Sequence, residues 1–190
     1  MIIAGIDYSL RGPAICVYHG EEAKGGFSFE NCSFHYLTDT KRYSKTFLEN
    51  IHGEPFSIVE SDLSRYDTIS GWACDTILKY GCEQVALEGY SYGSKGKIFH
   101  IAENTGVLKY KLFQNCIPVD IIAPTTIKKF ATGKGNADKE MMHDSFLLET
   151  SKNLKKIITP LKKKASNPVT DIVDSYYICK AFYEKLIQID

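Results

Sequence analysis

Residues Ile2 to Tyr18 read IIAGIDYSLRGPAICVY, two apolar runs separated by a link that holds Gly12 and Pro13. Gly and Pro break regular structure, so the stretch predicts two strands joined by a turn, the first ending on a carboxylate, Asp7. Asn31 to Leu37 alternates Cys, Phe and Tyr with polar or smaller residues and reads as a third strand of the same meander. From Thr38 to Val59 the alternation fades, and KRYSK and HGEP predict a long surface loop.

Beyond that loop the period changes from two to about 3.6. Ser61 offers an N-cap, and Leu63, Tyr66, Ile69, Ala73, Ile77 and Leu78 keep helical spacing up to Gly81. Gln84 to Leu87 is a short buried strand ending on Glu88, followed by the glycine-rich aromatic loop GYSYGSKGK. Ile98 to Phe113 reads as an amphipathic helix with small Ala102 and Gly106, Ile117 to Ala123 as a fifth strand, and Pro124 to Ala131 and Ala137 to Leu148 as helices. Ser151 to Ser166 holds six lysines and no acid, so it is expected to be a mobile basic segment, and Pro168 then occupies the first turn of a last helix. Three antiparallel strands followed by strands alternating with helices is the order of the ribonuclease H-like α/β fold. The expectation is a five-stranded mixed sheet, three antiparallel then two parallel strands, flanked by helices within one domain spanning 1–190.

The composition agrees with a globular protein: 44% apolar and 24% charged residues over 190 positions. No stretch approaches the roughly 20 apolar residues of a membrane-spanning helix. Six widely spaced cysteines without a CxxC pair read as reduced core thiols of a cytosolic protein. The formal charge is zero, yet Pro124 to Lys164 carries ten lysines against Asp138, Glu140, Asp144 and Glu149. That imbalance is either an ordinary solvated surface or one face prepared for an anionic partner.

Four acids stand at the polar ends of apolar elements: Asp7 and Glu88 end strands, and Asp171 and Asp174 begin the last helix. Parallel strands would bring Asp7 and Glu88 to one C-terminal sheet edge, where α/β proteins place their chemistry. At about 100 degrees per residue, Asp171 and Asp174 share a stripe with Ile178 and Phe182, so two carboxylates lie on a face that should be buried. The helix dipole favours acids in a first turn and explains either one alone. Four converging carboxylates repel one another unless cations neutralise them, and oxygen ligands without His or Cys point to Mg²⁺ or Mn²⁺. Two such ions suit phosphodiester hydrolysis.

With these residues in view, the chain resembles the RuvC family of Holliday junction resolvases, in particular its phage type. GIDYS resembles the family's GIDPG strand, whose catalytic acid falls on Asp7; ALEGYSYG resembles the strand ending in the second acid, here Glu88. NPVTDIVDSYY is similar to the family's NP-x-x-D-A-A-D-A signature, with its acids on Asp171 and Asp174. IKKFATGKGNADKEMM is similar to the family's VKQ...VGxGxAxK stretch, so the two functional lysines fall on Lys128 and Lys139, the latter taking part in catalysis. Lys134, between them, is a further DNA-contact candidate, although like Lys152, Lys155, Lys156 and Lys162 to Lys164 it matches no signature, and all of these read as general backbone contacts or solvent-facing. Where the family commonly has a base-stacking Phe this chain has Ser91, so Tyr90 and Tyr92 are the candidates for contact with unpaired bases.

The resemblance implies a Mg²⁺-dependent endodeoxyribonuclease that resolves four-way DNA junctions by paired symmetric nicks. It would use two Mg²⁺ ions per site, replaceable by Mn²⁺, and work as a homodimer in the cytoplasm of a bacterium or phage-infected cell, without organic cofactor or membrane. Ile98 to Phe113 is the candidate dimer helix. A broader branched-DNA or flap nuclease and a ribonuclease H acting on hybrids share the same acid set. GIDYSLRG also resembles the first phosphate loop of actin-like and sugar-kinase ATPases, but no second phosphate loop or adenosine motif follows. A junction-binding module without catalysis would not need all four acids.

Overall fold

A computed structural model of the chain describes residues 1–20, 26–57, 61–90 and 98–188. The first two runs form the expected hairpin: β1 (Ile2–Asp7) pairs antiparallel with β2 (Ala14–His19), Asp7 opposite Ala14, and β2 pairs antiparallel with β3 (Cys32–Thr38). β6 (Gln84–Glu88) lies parallel to β1 on its other side, and β7 (Val119–Ile122) lies parallel to β6.

The sheet has seven strands, not five. The segment read as a long loop contributes β4 (Thr46–Phe47) and β5 (Ile51–Pro55), giving the order β4-β5-β3-β2-β1-β6-β7. β5 runs parallel to β3, Phe34 opposite Ile51, and β4 folds back on β5 through a turn in which Leu48 and Glu49 take positive φ. β4 is two residues long and β5 holds one fully buried apolar residue, Ile51, so neither shows the alternation that marks a strand. Their pairing comes from β3, a distant template.

Helix α1 (Asp62–Lys79) starts where expected, with Ser61 Oγ accepting from Ser64 N, and it packs with α2 (Ile98–Gln114) on one face of the sheet. Ala4, Ile6, Ile15, Val17, Val85 and Leu87 supply that face. The opposite face, built on Ile3, Cys16, Phe34, Ile51 and Ala86, receives α6 (Val169–Ile187). Around α6 stand α3 (Pro124–Thr132), α4 (Lys139–Thr150) and α5 (Leu154–Ile158). The period-two alternation of β1 and β6 thus assigns Ile3, Gly5 and Asp7, with Ala86 and Glu88, to the α6 side.

The lysine-rich stretch is also more ordered than the charge count predicts. Leu154 and Ile158 lie one turn apart and are buried, and Asn153 Oδ1 caps α5 by accepting from Lys156 N at 3.0 Å. A five-residue helix with two buried residues is too short to register against six lysines when read as sequence. Among the described residues no helix is long and apolar enough to cross a membrane.

Candidate acidic active site

Asp7 and Glu88 leave the C-terminal ends of the parallel strands β1 and β6, one residue beyond the paired Ile6 and Leu87. Both lie on the face that α6 covers. α6 reaches them because β1 carries no side chain at its midpoint: a Cβ on Gly5 would fall 2.2 Å from the Cys179 backbone nitrogen. This close approach sets the first two turns of α6, with Asp171 and Asp174, against the strand ends. Gly12, in the β1–β2 turn, leaves room in the same way, since a Cβ there would meet Asp171 Oδ2 at 3.3 Å.

The four acids sense one another. Burial pushes the Asp7 carboxyl well above its ordinary range, and Asp171, Asp174 and Glu88 push it further, with Lys139 opposing. Burial, then Asp174, raises Glu88 to about 7 against the pull of Lys128 and Lys139. Asp171 is raised to about 7 by burial, with Lys139 and a Thr170 hydrogen bond opposing and Asp174 adding to the rise. Asp174 is raised to about 6 by burial, held back by Lys139 and then Lys128. Enclosure, which favours the neutral acids, outweighs two nearby ammonium groups.

The lysines come from elements that the sequence places next to each other. Lys128 is in α3, whose C-terminus turns on Gly133 at φ 77, and Lys139 is the first residue of α4, where Asp138 accepts from Met141 N as cap. Lys139 Nζ donates to Thr170 Oγ1 at 3.3 Å, and that hydroxyl lies 2.9 Å from Asn167 Oδ1 and 3.2 Å from Asp171 Oδ1. Thr170 therefore ties the α4 lysine to the start of α6. No signal in the sequence singled it out, because its role depends on a contact 31 residues away.

Other expected residues are placed differently. Lys134 is exposed past the end of α3 and does not touch the acid cluster. Tyr90 is exposed beside a cavity of about 550 Å³ that Asp7 and Glu88 also line, with the Lys109 ammonium 5.5 Å from its ring centroid. Tyr92 lies outside the described residues. The cavity adds two cations that sequence reasoning missed: Arg11 from the β1–β2 turn and Arg65 from α1.

The donor set fits divalent cations. Four carboxylates with no His or Cys among them are hard oxygen ligands, and their raised pKa values express a charge that a bound cation would neutralise. Among the described residues, no group of three or more Asp, Glu, His or Cys side chains is already arranged to hold a metal ion.

The family model described as crossover junction endodeoxyribonuclease RuvC matches residues 59–170, more than half of the chain. The match includes Glu88, Lys128 and Lys139, while Asp7, Asp171 and Asp174 fall outside it. The fold is similar to that of Thermus thermophilus RuvC, at 20% identity and a TM-score of 0.60, over 98% of this chain and 96% of that one. A structure of T. thermophilus RuvC in complex with a Holliday junction substrate is 16% identical, with a TM-score of 0.63 and the same coverage. The fowlpox virus resolvase, solved with substrate Holliday junction DNA, is 15% identical with a TM-score of 0.52, over 98% and 99% of the two chains. No curated protein is similar enough in sequence to match.

Proposed function

The chain belongs to the RuvC family of crossover junction endodeoxyribonucleases, and from that premise we propose that it resolves four-way DNA junctions by metal-assisted phosphodiester hydrolysis at Asp7, Glu88, Asp171 and Asp174. The observation that carries the assignment is the convergence of these four acids, from β1, β6 and α6, on one sheet edge with raised pKa values. Enclosed acids that repel each other cost folding free energy unless a ligand uses them.

RuvC-family resolvases are divalent-metal-dependent nucleases, and the four acids here would hold two Mg²⁺ ions, with Mn²⁺ as a substitute. When bound, such ions activate a water and neutralise the leaving 3′ oxygen, leaving 5′-phosphate and 3′-hydroxyl ends. Lys139, held by Thr170, offers its ammonium to the scissile phosphate and supports the negative charge that grows on it. Lys128, on the Glu88 side, binds a neighbouring phosphate. Thr170 and Asn167 fix the start of α6 so that Asp171 and Asp174 keep their positions. Tyr90 offers a ring for an unpaired base beside the acids.

Residues 1–190 act as one catalytic domain in this reading. Two copies form a homodimer, because a four-way junction is two-fold symmetric and paired nicks need two sites. The enzyme works in the cytoplasm of a bacterium or a phage-infected cell. A synthetic mobile junction, a flap, a linear duplex and an RNA–DNA hybrid incubated with Mg²⁺ test the assignment. Paired nicks on the junction, lost on addition of EDTA, are the expected result. Equal cutting of the hybrid or the flap would replace junction resolution with a broader nuclease activity.

A further inference from the structure

Two segments that each carry lysines or arginine, and that lie far apart in sequence, meet on one surface beside the acids. Arg42, Tyr43, Lys45 and Phe47, around β4, form one wall of a cavity of about 200 Å³, and Ile157 to Leu161, at the end of α5, form the other. Tyr43 and Ile158 are buried in the same core, so the two walls are fixed to each other and to the sheet. Lys162, Lys163 and Lys164 follow at once, all exposed, with Leu161 84% exposed at the rim. Lys41 is exposed beside Arg42.

Shared lining residues link this surface to the acid cluster. Tyr43 also lines a second cavity of about 200 Å³ with Arg11, Asn167, Pro168 and Asp171, and Arg11 in turn lines the larger cavity that holds Asp7 and Glu88. A trough therefore runs from Glu88 and Asp7, past Arg11 and Asp171, to Tyr43 and the lysines. Besides Asp7, Glu88 and Asp171, two acids line it among the described residues: Asp62, paired with Arg65 in the larger cavity, and Asp39. Asp39 lines the middle cavity and accepts from Thr40 Oγ1, and Glu54 points to the other face of the sheet, where it accepts from Trp72 Nε1 at 3.1 Å. Glu49 lies in the β4–β5 turn, and the segment after α4, from Ser151 to Ser166, has no acid at all.

The cations are not used up inside the protein. Lys152 and Lys155 have partners in Glu30 and Glu140, but among the described residues no ion pair engages Lys41, Lys45, Lys162, Lys163, Lys164, Arg11 or Arg42. Arg42 and Lys45 lie instead over the rings of Tyr43 and Phe47, at 4.7 and 5.0 Å from their centroids. Clustered, unpaired cations that border a groove leading to phosphodiester-cutting acids match the charge of a duplex backbone.

We propose that the β4 segment and the α5 segment together form a second nucleic-acid site, which holds the phosphate backbone of a duplex arm as it leaves the acid cluster along this trough. The proposal rests on the junction-resolving reading above, and it assigns a function to the two segments that reading does not use. Arm length is the variable that separates them, since a short arm ends before the lysines while a long one crosses them.

The test measures binding of catalytically inactive protein, carrying Asp174→Asn, to four-way junctions with arms of about 6 and about 20 base pairs across a salt series. Two further proteins are compared: one with Arg42, Lys45, Lys162, Lys163 and Lys164 all changed to Ala, and one with the four lysines changed to Arg. The Ala protein is expected to lose roughly tenfold or more in affinity for the long-arm junction and to show a salt slope smaller by about 2 to 4, with less than about twofold change on short arms. The Arg protein keeps the charge and is expected to bind like the parent, while the retained short-arm binding of the Ala protein excludes loss of folding as the cause. Long-arm binding by the Ala protein within twofold of the parent, with an unchanged salt slope, overturns the proposal while leaving junction resolution intact. Failure of the parent to prefer a junction over linear duplex overturns the reading on which it rests, and the proposal with it.

Discussion

Asp171 is the most enclosed of the four acids, 5% exposed, and its carboxyl is raised to about 7. A carboxyl whose folded pKa exceeds its unfolded value of about 4 holds extra protons in the folded state between those two pH values, so stability falls as pH rises through that window. His35 works in the opposite direction: burial, with His52, Lys79 and His19, lowers it to about 3, so stability is lost as pH falls below about 6.5. A difference measurement isolates the acid. In EDTA, Asp171→Asn is expected to melt close to the parent near pH 4 and at least about 2 to 4 °C above it near pH 8, corresponding to about 1 kcal/mol or more. Added Mg²⁺ should reverse that order by stabilising the parent alone; calorimetry with and without Mg²⁺ at the two pH values reads both effects. For catalysis, Asp7→Asn and Asp174→Asn should each lower single-turnover cleavage of a mobile junction by roughly 100-fold or more, about 2.7 kcal/mol of barrier, with junction binding retained. A rate within a few fold of the parent would remove either acid from the mechanism. The four acids could be read from sequence because each conflicts locally with an apolar element, and such conflicts are visible in one dimension. Arg11, Gly12 and Thr170 carry no such conflict; each matters through a neighbour brought in by the fold.

Gly5 decides whether α6 can cross β1. The helix backbone lies so close that a methyl group at that position would overlap Cys179 N, Cα and Cβ, at 2.2, 2.6 and 2.7 Å. Backbone atoms cannot turn aside as a side chain can, so Gly5→Ala must push the helix outward. The expected cost is about 3 kcal/mol in stability, together with a loss of Mg²⁺-induced stabilisation larger than that of a core control such as Ile178→Val, because Asp171 and Asp174 move with the helix. Equal Mg²⁺ shifts in melting temperature for both variants would show that the helix position does not set the metal site. Elements with their own periodic pattern were legible: β1, β2, β3 and β6, and the helices from Ser61 onward, lie within a few residues of their expected bounds. β4, β5 and α5 were not, since each is too short to carry a period and is stabilised by a partner, β3 for the strands and α6 for the helix. The same short elements build the basic surface, which explains why the six lysines after α4 looked like an unstructured segment.

At the scale of the whole molecule the acids lie on one edge, and the opposite face of the sheet is covered by α1 and α2. That cover is itself apolar on its outside. Phe99, Tyr110 and Phe113 of α2 are 76%, 60% and 75% exposed, and Leu63 of α1 is 76% exposed beside them. The spacing of Phe99, Glu103, Gly106, Tyr110 and Phe113 is that of one helix face, and a Cβ on Gly106 would meet nothing within 4 Å, so the centre of the face is open to close approach. Exposed aromatic residues at this density suit a partner surface, and under the proposed paired cleavage the expected partner is a second copy of the chain. Two charges introduced at its ends, Phe99→Glu with Phe113→Glu, replace exposed side chains rather than the core residues Leu108 and Leu112 and should leave the fold intact. Light scattering is expected to show a dimer for the parent and a monomer for the double variant at micromolar concentration. The decisive readout is a supercoiled plasmid carrying an extruded cruciform: paired nicks within one binding event give linear product, and independent nicks give open circles that are resealed by ligase. The monomeric variant should accumulate open circles. Linear product at the parent's rate from a monomeric variant would place the symmetry of cleavage somewhere other than this face.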